Sequence, residues 1–141
     1  KVEDPLARQE RIIEEVIKIT GSKISRKKAG DMLKAMPESY FLGFSAQKIA
    51  YHLGLIDKYK DAVGMDLLFY PEEDYNEFTF WGFDEPGIFS RLCGVIRASG
   101  FNILGARITT RSDGRILDVF YLNRLGVSVE VDDKAWAKLQ G

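Results

Sequence analysis

The chain has 141 residues, 45% of them hydrophobic and 29% charged, which is typical of one globular domain or two small modules. Its net charge of −1 argues against a dedicated nucleic-acid binder, and no apolar run approaches the roughly 20 residues of a membrane helix. One cysteine and one histidine exclude an internal disulfide and nearly exclude a His/Cys zinc site.

The single cysteine, Cys93, favours a reducing, cytoplasmic location, and its place in an amphipathic segment favours packing over redox chemistry. We recognise no secretory signal in the sequence. Because the chain opens at Lys1 rather than at a methionine and stops just after a predicted helix, we expect it to be a fragment of a longer protein.

Residues 1–62 have helical periodicity and are predicted to form a small all-helical segment. Asp4 followed by proline, Ser25 and Ser45 are predicted N-caps of three helices, and Pro37 is predicted to end the second. His52 lies beside an apolar stripe. A general base would need partners that this segment does not show, so His52 is interpreted as a structural or exposed residue.

Residues 65–141 change to a mixed pattern and are predicted to form a second, truncated domain. Two strands are predicted first, at residues 66–70 and 77–83, and the second alternates so that Phe78 and Phe80 share one face while Thr79, Trp81 and Phe83 share the other. The elements that follow are a helix over 86–99, strands over 101–111 and 116–123, and a helix capped by Asp132 or Asp133.

This order predicts an α+β fold with a ferredoxin-like βαββα(β) sheet whose last strand is missing, preceded by the helical segment. We expect residues 66–70 to fold back as a hairpin and to occupy the sheet edge that the missing strand leaves open. Two helices would cover one face of the sheet, and the aromatic residues of the other face would require a partner.

The sequence FDEPGIFSRL, residues 83–92, predicts a tight turn before the helix. Pro86 suits a first helical turn, Asp84 or Glu85 is the predicted cap, and Gly87 allows close approach to the backbone. The unpaired amides of a helix start bind carboxylates, and Asp84 beside them would pair with an amine. This is the polar pattern of a free amino acid, although the same residues also suit a simple helix start.

Several spaced motifs together resemble the ACT domain, a family of small regulatory modules that usually sense amino acids. The motifs, which cover about residues 76–140, are DEPGIF at 84–89, GVI at 94–96, GFNI at 100–103, Arg107, DG at 113–114 and DVF at 118–120. PESYFL at 37–42 and IAYH at 49–52 are similar to the helices that join the hydrolase domain to the first ACT domain in bifunctional uridylyltransferase/uridylyl-removing enzymes of bacterial nitrogen control.

This resemblance implies an amino-acid-sensing module, with glutamine favoured, that controls uridylylation and deuridylylation of the PII protein. It also implies a second ACT unit or a homodimer, because such units usually share their ligand site. The implied ligand-binding residues are Asp84, Glu85, Pro86, Gly87, Ile88, Phe89 and Asn102, the last supplied by a neighbouring unit. The alternative is a unit that serves only dimerisation, interdomain contact or PII binding, without a ligand.

The parent enzymes of this resemblance are nucleotidyltransferases with hydrolase activity, and magnesium is implied for them. Their transferase site needs paired aspartates after a Gly-Ser turn and their hydrolase site needs a His/Asp cluster, but Gly21-Ser22 here is followed by Lys-Ile-Ser. We therefore expect no catalytic residue, cofactor or metal in this chain.

Three further expectations concern single residues and the sheet face. Family members often have arginine where this chain has Glu85, and the extra acid opposes anion binding.

Asp118, in an apolar strand, is expected to pair with Arg107 or Arg111 or to face a partner. An RNA-binding sheet would have the same element order, but the basic consensus that accompanies its stacking aromatics is absent.

Overall fold

The structure is a computed structural model that describes residues 3–124. The helices are α1 Pro5–Ile19, α2 Arg26–Leu33, α3 Glu38–Gly43, α4 Ala46–Tyr59 and α5 Ile88–Ala98, and the strands are β1 Gly64–Tyr70, β2 Tyr75–Phe83, β3 Phe101–Thr110 and β4 Arg115–Arg124. The helix predicted after residue 132 lies outside the described residues. None of the described helices has the length and apolar character needed to cross a membrane.

The helix starts of the first half follow the predicted caps. The side chains of Asp4, Ser25 and Ser45 each accept a hydrogen bond from the backbone amide three residues later, at 3.1 to 3.3 Å. Pro37 was predicted to end α2, but α2 ends at Leu33 and Pro37 is the N-cap of α3. The reason is that the fixed φ and missing N–H of proline suit a helix start as well as a helix end.

The strands form one antiparallel sheet in the order β1-β2-β4-β3. β1 folds back on β2, with Asp66 opposite Thr79, so the predicted hairpin is confirmed and β1 occupies the edge next to β2. Together with the helices, this sheet confirms the predicted α+β fold, and its order is compatible with a ferredoxin-like ACT arrangement.

One face of the sheet is covered by α5. Phe78 and Phe80 point towards this helix, as the alternation in β2 predicts, and form a buried cluster with Leu92, Cys93 and Ile96. Cys93 is only 7% exposed within this cluster, so the structure confirms that it packs in the core.

The opposite face of the sheet is covered by the chain's own helical segment. Trp81 and Leu117, which point away from α5, belong to the same buried cluster as Val16, Leu33 and Leu53 of α1, α2 and α4. The partner that the aromatic face requires is therefore supplied from residues 1–62. The helical segment and the sheet share one hydrophobic core.

A polar cluster also ties α4 to this face. The Lys48 ammonium lies 2.6 Å from the Glu77 carboxylate and 2.8 Å from the Tyr70 hydroxyl, and the Glu77 side chain is only 3% exposed. The Tyr51 hydroxyl donates to the Asp66 carboxylate of β1. Charged groups buried this deeply need such partners, so α4 has a fixed register over β1 and β2.

Candidate functional site

The candidate ligand turn, residues 84–87, connects the end of β2 to α5. The Asp84 amide donates to the Gly114 carbonyl at 2.9 Å, and the Ile88 amide donates to the Glu85 carbonyl at 3.1 Å. α5 begins at Ile88, two residues after the predicted start at Pro86. Capping by Asp84 or Glu85 is also wrong, because Gly87 is the N-cap and the described residues provide no side-chain cap.

Gly87 determines the shape of this turn. Its φ of 77° lies in the left-handed region, which glycine adopts without the penalty that a side chain brings. A Cβ built at Gly87 would meet no heavy atom within 4 Å, so the backbone here is open to an approaching molecule. An open depression lies over the turn, lined by Asp84, Glu85, Pro86, Gly87, Ile88, Phe89 and Ser90.

The depression has one apolar side and a mixed charge. The Phe89 ring stacks on Phe120 at 5.8 Å between centroids and remains 44% exposed. The Glu85 carboxylate lies 3.2 Å from the Arg91 guanidinium, with both side chains exposed. Arg91 thus offsets part of the negative charge that makes Glu85 unfavourable for an anion site, and this pairing was not predicted from the sequence.

Asn102 lies far from this turn within one chain. It is exposed, it is the second residue of β3, and it pairs with Asn123 of β4. Because β2 and β3 are both antiparallel to β4, they run in the same direction, so the start of β3 and the end of β2 lie at opposite ends of the sheet. Only a second unit can bring Asn102 to the turn, which is the placement that the family resemblance implies.

Asp118 does not pair with Arg107 or Arg111, so the predicted ion pair is wrong. It is 1% exposed and lies between Phe80 and Ile108 on the α5 side, whereas Arg107 pairs with Val119 and points to the opposite face. Its Oδ1 has no hydrogen-bond partner among the described residues. Burial raises the pKa of this carboxyl to about 6.

The hairpin turn between β3 and β4 carries a second polar cluster that sequence reasoning missed. Arg111 pairs with Asp113 at 2.8 Å, and Arg115 donates to the carbonyls of Lys60, Ala62 and Gly82. The available signal was the sequence RSDGR, in which two arginines flank a tight turn in the more acidic half of the chain. Both arginines are less than 10% exposed.

Metal binding finds no support in this part of the chain. Within residues 3–124, no group of three or more His, Cys, Asp or Glu side chains is placed to hold a metal ion.

No family model matches the chain. Curated relatives from several bacteria carry the name bifunctional uridylyltransferase/uridylyl-removing enzyme. The protein from Gluconobacter oxydans is 37% identical over 87 residues, 60% of this chain and 9% of the relative. The protein from Rhodospirillum rubrum is 34% identical over 100 residues, which are 68% of this chain and 11% of the relative. The protein from Phenylobacterium zucineum is 32% identical over 88 residues, which are 62% of this chain and 9% of the relative.

The chain thus spans only about a tenth of the length of the curated relatives it matches. The matches nevertheless cover 60% to 68% of the chain itself. They confirm what its motifs indicated, namely that this chain resembles a short segment of the bifunctional uridylyltransferase/uridylyl-removing enzymes.

Proposed function

We propose that the chain is a regulatory segment of a PII-protein uridylyltransferase, and that the turn before α5 binds a free amino acid, with glutamine favoured. The observation that carries the proposal is the open depression over Gly87, at the start of an 11-residue helix. The similarity to the uridylyltransferases supports the enzyme context.

Each group of a free amino acid has a chemically suitable partner at the turn. The carboxylate would lie against the Phe89 and Ser90 amides in the first turn of α5, where the helix dipole is positive, because the Ile88 amide already donates to the Glu85 carbonyl. The ammonium would pair with Asp84. Arg91 holds the Glu85 carboxylate, which reduces its repulsion of the ligand carboxylate. The exposed Phe89 ring would cover the aliphatic part of the glutamine side chain. Asn102 of a second unit would form a hydrogen bond with the side-chain amide of the bound glutamine.

Isothermal titration calorimetry with glutamine tests this proposal. We expect saturable binding to the 141-residue chain and its loss in Gly87→Val, which places a β-branched side chain at a left-handed position, and in Asp84→Ala. Gly94→Ala is the matched control, because it adds a methyl group to α5 where no heavy atom lies within 4 Å. Light scattering on the same samples reports whether a second unit is present to supply Asn102. No heat from a dimeric sample at millimolar glutamine would contradict the proposal.

The second candidate is a contact module that holds no small molecule. It is favoured by the shared core of helices and sheet, and by β3, an edge strand on which Leu104 is 57% and Ile108 49% exposed. This candidate predicts self-association or binding to PII protein that glutamine does not change and that Gly87→Val leaves intact. Calorimetry with purified PII protein, with and without glutamine, separates the two candidates.

A further inference from the structure

The β3–β4 hairpin turn, residues 111–115, contacts both the candidate ligand turn and the helical segment. On one side the Gly114 carbonyl accepts the Asp84 amide at 2.9 Å. On the other side the Ser112 amide donates to the Ala35 carbonyl, also at 2.9 Å, just after α2. A stretch of five residues therefore bridges the start of the ligand turn and the end of a helix.

Arg111 fixes the hairpin turn to α2. Its guanidinium donates three hydrogen bonds to the Asp113 carboxylate inside the hairpin and one to the Met32 carbonyl at 2.6 Å. The same group lies 5.3 Å from the centroid of the Trp81 ring, and the residue is 8% exposed. With these contacts made in a buried site, the guanidinium has little freedom to move independently of α2 or of the hairpin.

Arg115 fixes the other end of the hairpin to the α4–β1 junction. It donates to the carbonyls of Gly82, Lys60 and Ala62 at 2.9, 2.9 and 2.8 Å. Its guanidinium lies 4.2 Å from the Trp81 centroid and 4.1 Å from the Phe83 centroid. Gly82 and Phe83 directly precede the ligand turn. The Arg115 side chain therefore contacts both the end of β2, where that turn begins, and the residues that follow the end of α4.

The backbone at this junction has an uncommon conformation. Lys60 has a φ of 51° and a ψ of −114°, outside the regions that residues with side chains ordinarily adopt. Its carbonyl accepts hydrogen bonds from both the Trp81 indole and the Arg115 guanidinium, each at 2.9 Å. Such a conformation persists where the surroundings determine it, and here the sheet supplies the two donors.

We propose that Arg111 and Arg115 are positioning residues that couple the ligand turn to the helical segment through the hairpin. The ligand part of this inference rests on the proposed amino-acid site. Tightening of residues 84–87 would be transmitted to the ends of α2 and α4, and the coupling would act equally in the reverse direction. In this way a ligand bound at the turn would change the stability of the ends of α2 and α4, which precede the sheet in the chain.

The first test needs no ligand and measures amide hydrogen exchange by NMR. Arg111→Gln removes the contacts to Asp113 and Met32, and we expect the Asp84 amide to exchange about tenfold faster relative to the Phe80 amide in the sheet. Arg107→Gln is the control, since Arg107 lies on β3, four residues before Arg111, and its guanidinium lies 5.8 Å from the centroid of the Phe44 ring. We expect less than about a twofold change there.

Equal effects of the two substitutions would overturn the coupling. The ratio to the Phe80 amide removes any general loss of stability from the comparison. If Arg111→Gln does not fold, Asp113→Asn weakens the same ion pair more gently and is expected to change the Asp84 ratio in the same direction. An unchanged ratio in that variant would likewise overturn the proposal.

The second test adds glutamine to the full chain. In the wild type we expect slower exchange at residues 84–91 and also at the amides of Met36, Lys60 and Ala62, which are hydrogen bonded near the helix ends. In Arg111→Gln the protection of the turn should remain and the protection of the Met36 amide after α2 should be lost, while Lys60 and Ala62, whose carbonyls Arg115 holds, should stay protected. Equal protection of Met36 in both proteins overturns the coupling through Arg111. Absence of any protection at 84–91 overturns the amino-acid site instead, and the ligand-free test still decides the coupling.

Discussion

His52 occupies a buried position on α4. Its sequence context was compatible with either a structural residue or an exposed one. The residue is fully buried, and its Nδ1 lies 2.6 Å from the Tyr40 hydroxyl. Phe44 packs edge-on against the imidazole at 4.9 Å. Burial lowers the pKa of His52 to about 3, so the ring is neutral near pH 7 and has a structural role.

The buried histidine predicts a loss of stability in acid. Between pH 6.5 and about 3 the unfolded chain binds a proton at His52 and the folded chain does not, so the free energy of unfolding falls as the pH falls. The slope from this residue is at most about 1.4 kcal/mol per pH unit. Urea denaturation at pH 7.5, 5.5 and 4.5 measures it.

His52→Gln is the control, because it keeps a polar side chain without a titrating ring. The comparison with the wild type is needed because Asp118 titrates in the opposite sense. Its raised pKa lets the folded chain bind more protons than the unfolded chain between pH 3.8 and about 6. Identical pH dependence in wild type and His52→Gln would contradict the prediction.

At the scale of single elements, local signals predicted helix starts and the hairpin but misplaced two boundaries. Ser25 and Ser45 cap their helices through contacts within three residues, and such contacts are readable from sequence. The start of α5 was misplaced because the left-handed conformation at Gly87 depends on how residues 84–87 leave the sheet. The role of Pro37 was misassigned because proline is common both at the start of a helix and just after the end of one, and sequence alone does not distinguish the two.

The Lys48–Glu77 ion pair beneath α4 provides a prediction for element docking. Lys48→Met leaves the buried Glu77 carboxylate without its cation, and we expect a loss of about 3 kcal/mol in the free energy of unfolding. The double variant Lys48→Met/Glu77→Gln removes the unpaired charge and should be more stable than Lys48→Met. Urea denaturation of the two variants measures the difference, with Lys58→Met as an exposed control on the same helix.

A double variant that is less stable than Lys48→Met would contradict this interpretation. That result would mean that the Glu77 carboxylate is satisfied by other groups near α4, such as the Tyr70 hydroxyl. Tyr70 itself accepts a hydrogen bond from Lys48. The comparison therefore tests whether the charge of Lys48, rather than its volume, holds α4 on the sheet.

At the scale of the whole molecule, the helical segment and the sheet bury side chains in one shared cluster that includes Trp81. We predict a single cooperative transition, because Trp81 and Leu117 bury against side chains of α1, α2 and α4. In a Trp136→Phe variant, Trp81 is the only tryptophan, so its fluorescence reports the interface while far-UV circular dichroism reports the helices. Two separated denaturation midpoints would contradict the shared core.

The sequence by itself determined the α+β class, the β1–β2 hairpin, the caps of the first helices and the motif similarity to uridylyltransferases. These features depend on residues that are near one another in the chain, or on the spacing of motifs along the sequence. It also predicted a ligand turn around Gly87, although not the left-handed conformation of that turn.

The tertiary structure alone decided what covers each face of the sheet and where the buried charges find partners. The helical segment covers the aromatic face, Arg111 and Arg115 hold carbonyls 53 to 79 residues away in the chain, and Asp118 faces α5 instead of an arginine. Such contacts follow from strand register and from the docking of one layer on another. One residue of register reverses the face of every side chain in a strand, and no local pattern encodes which distant carbonyl will accept a guanidinium.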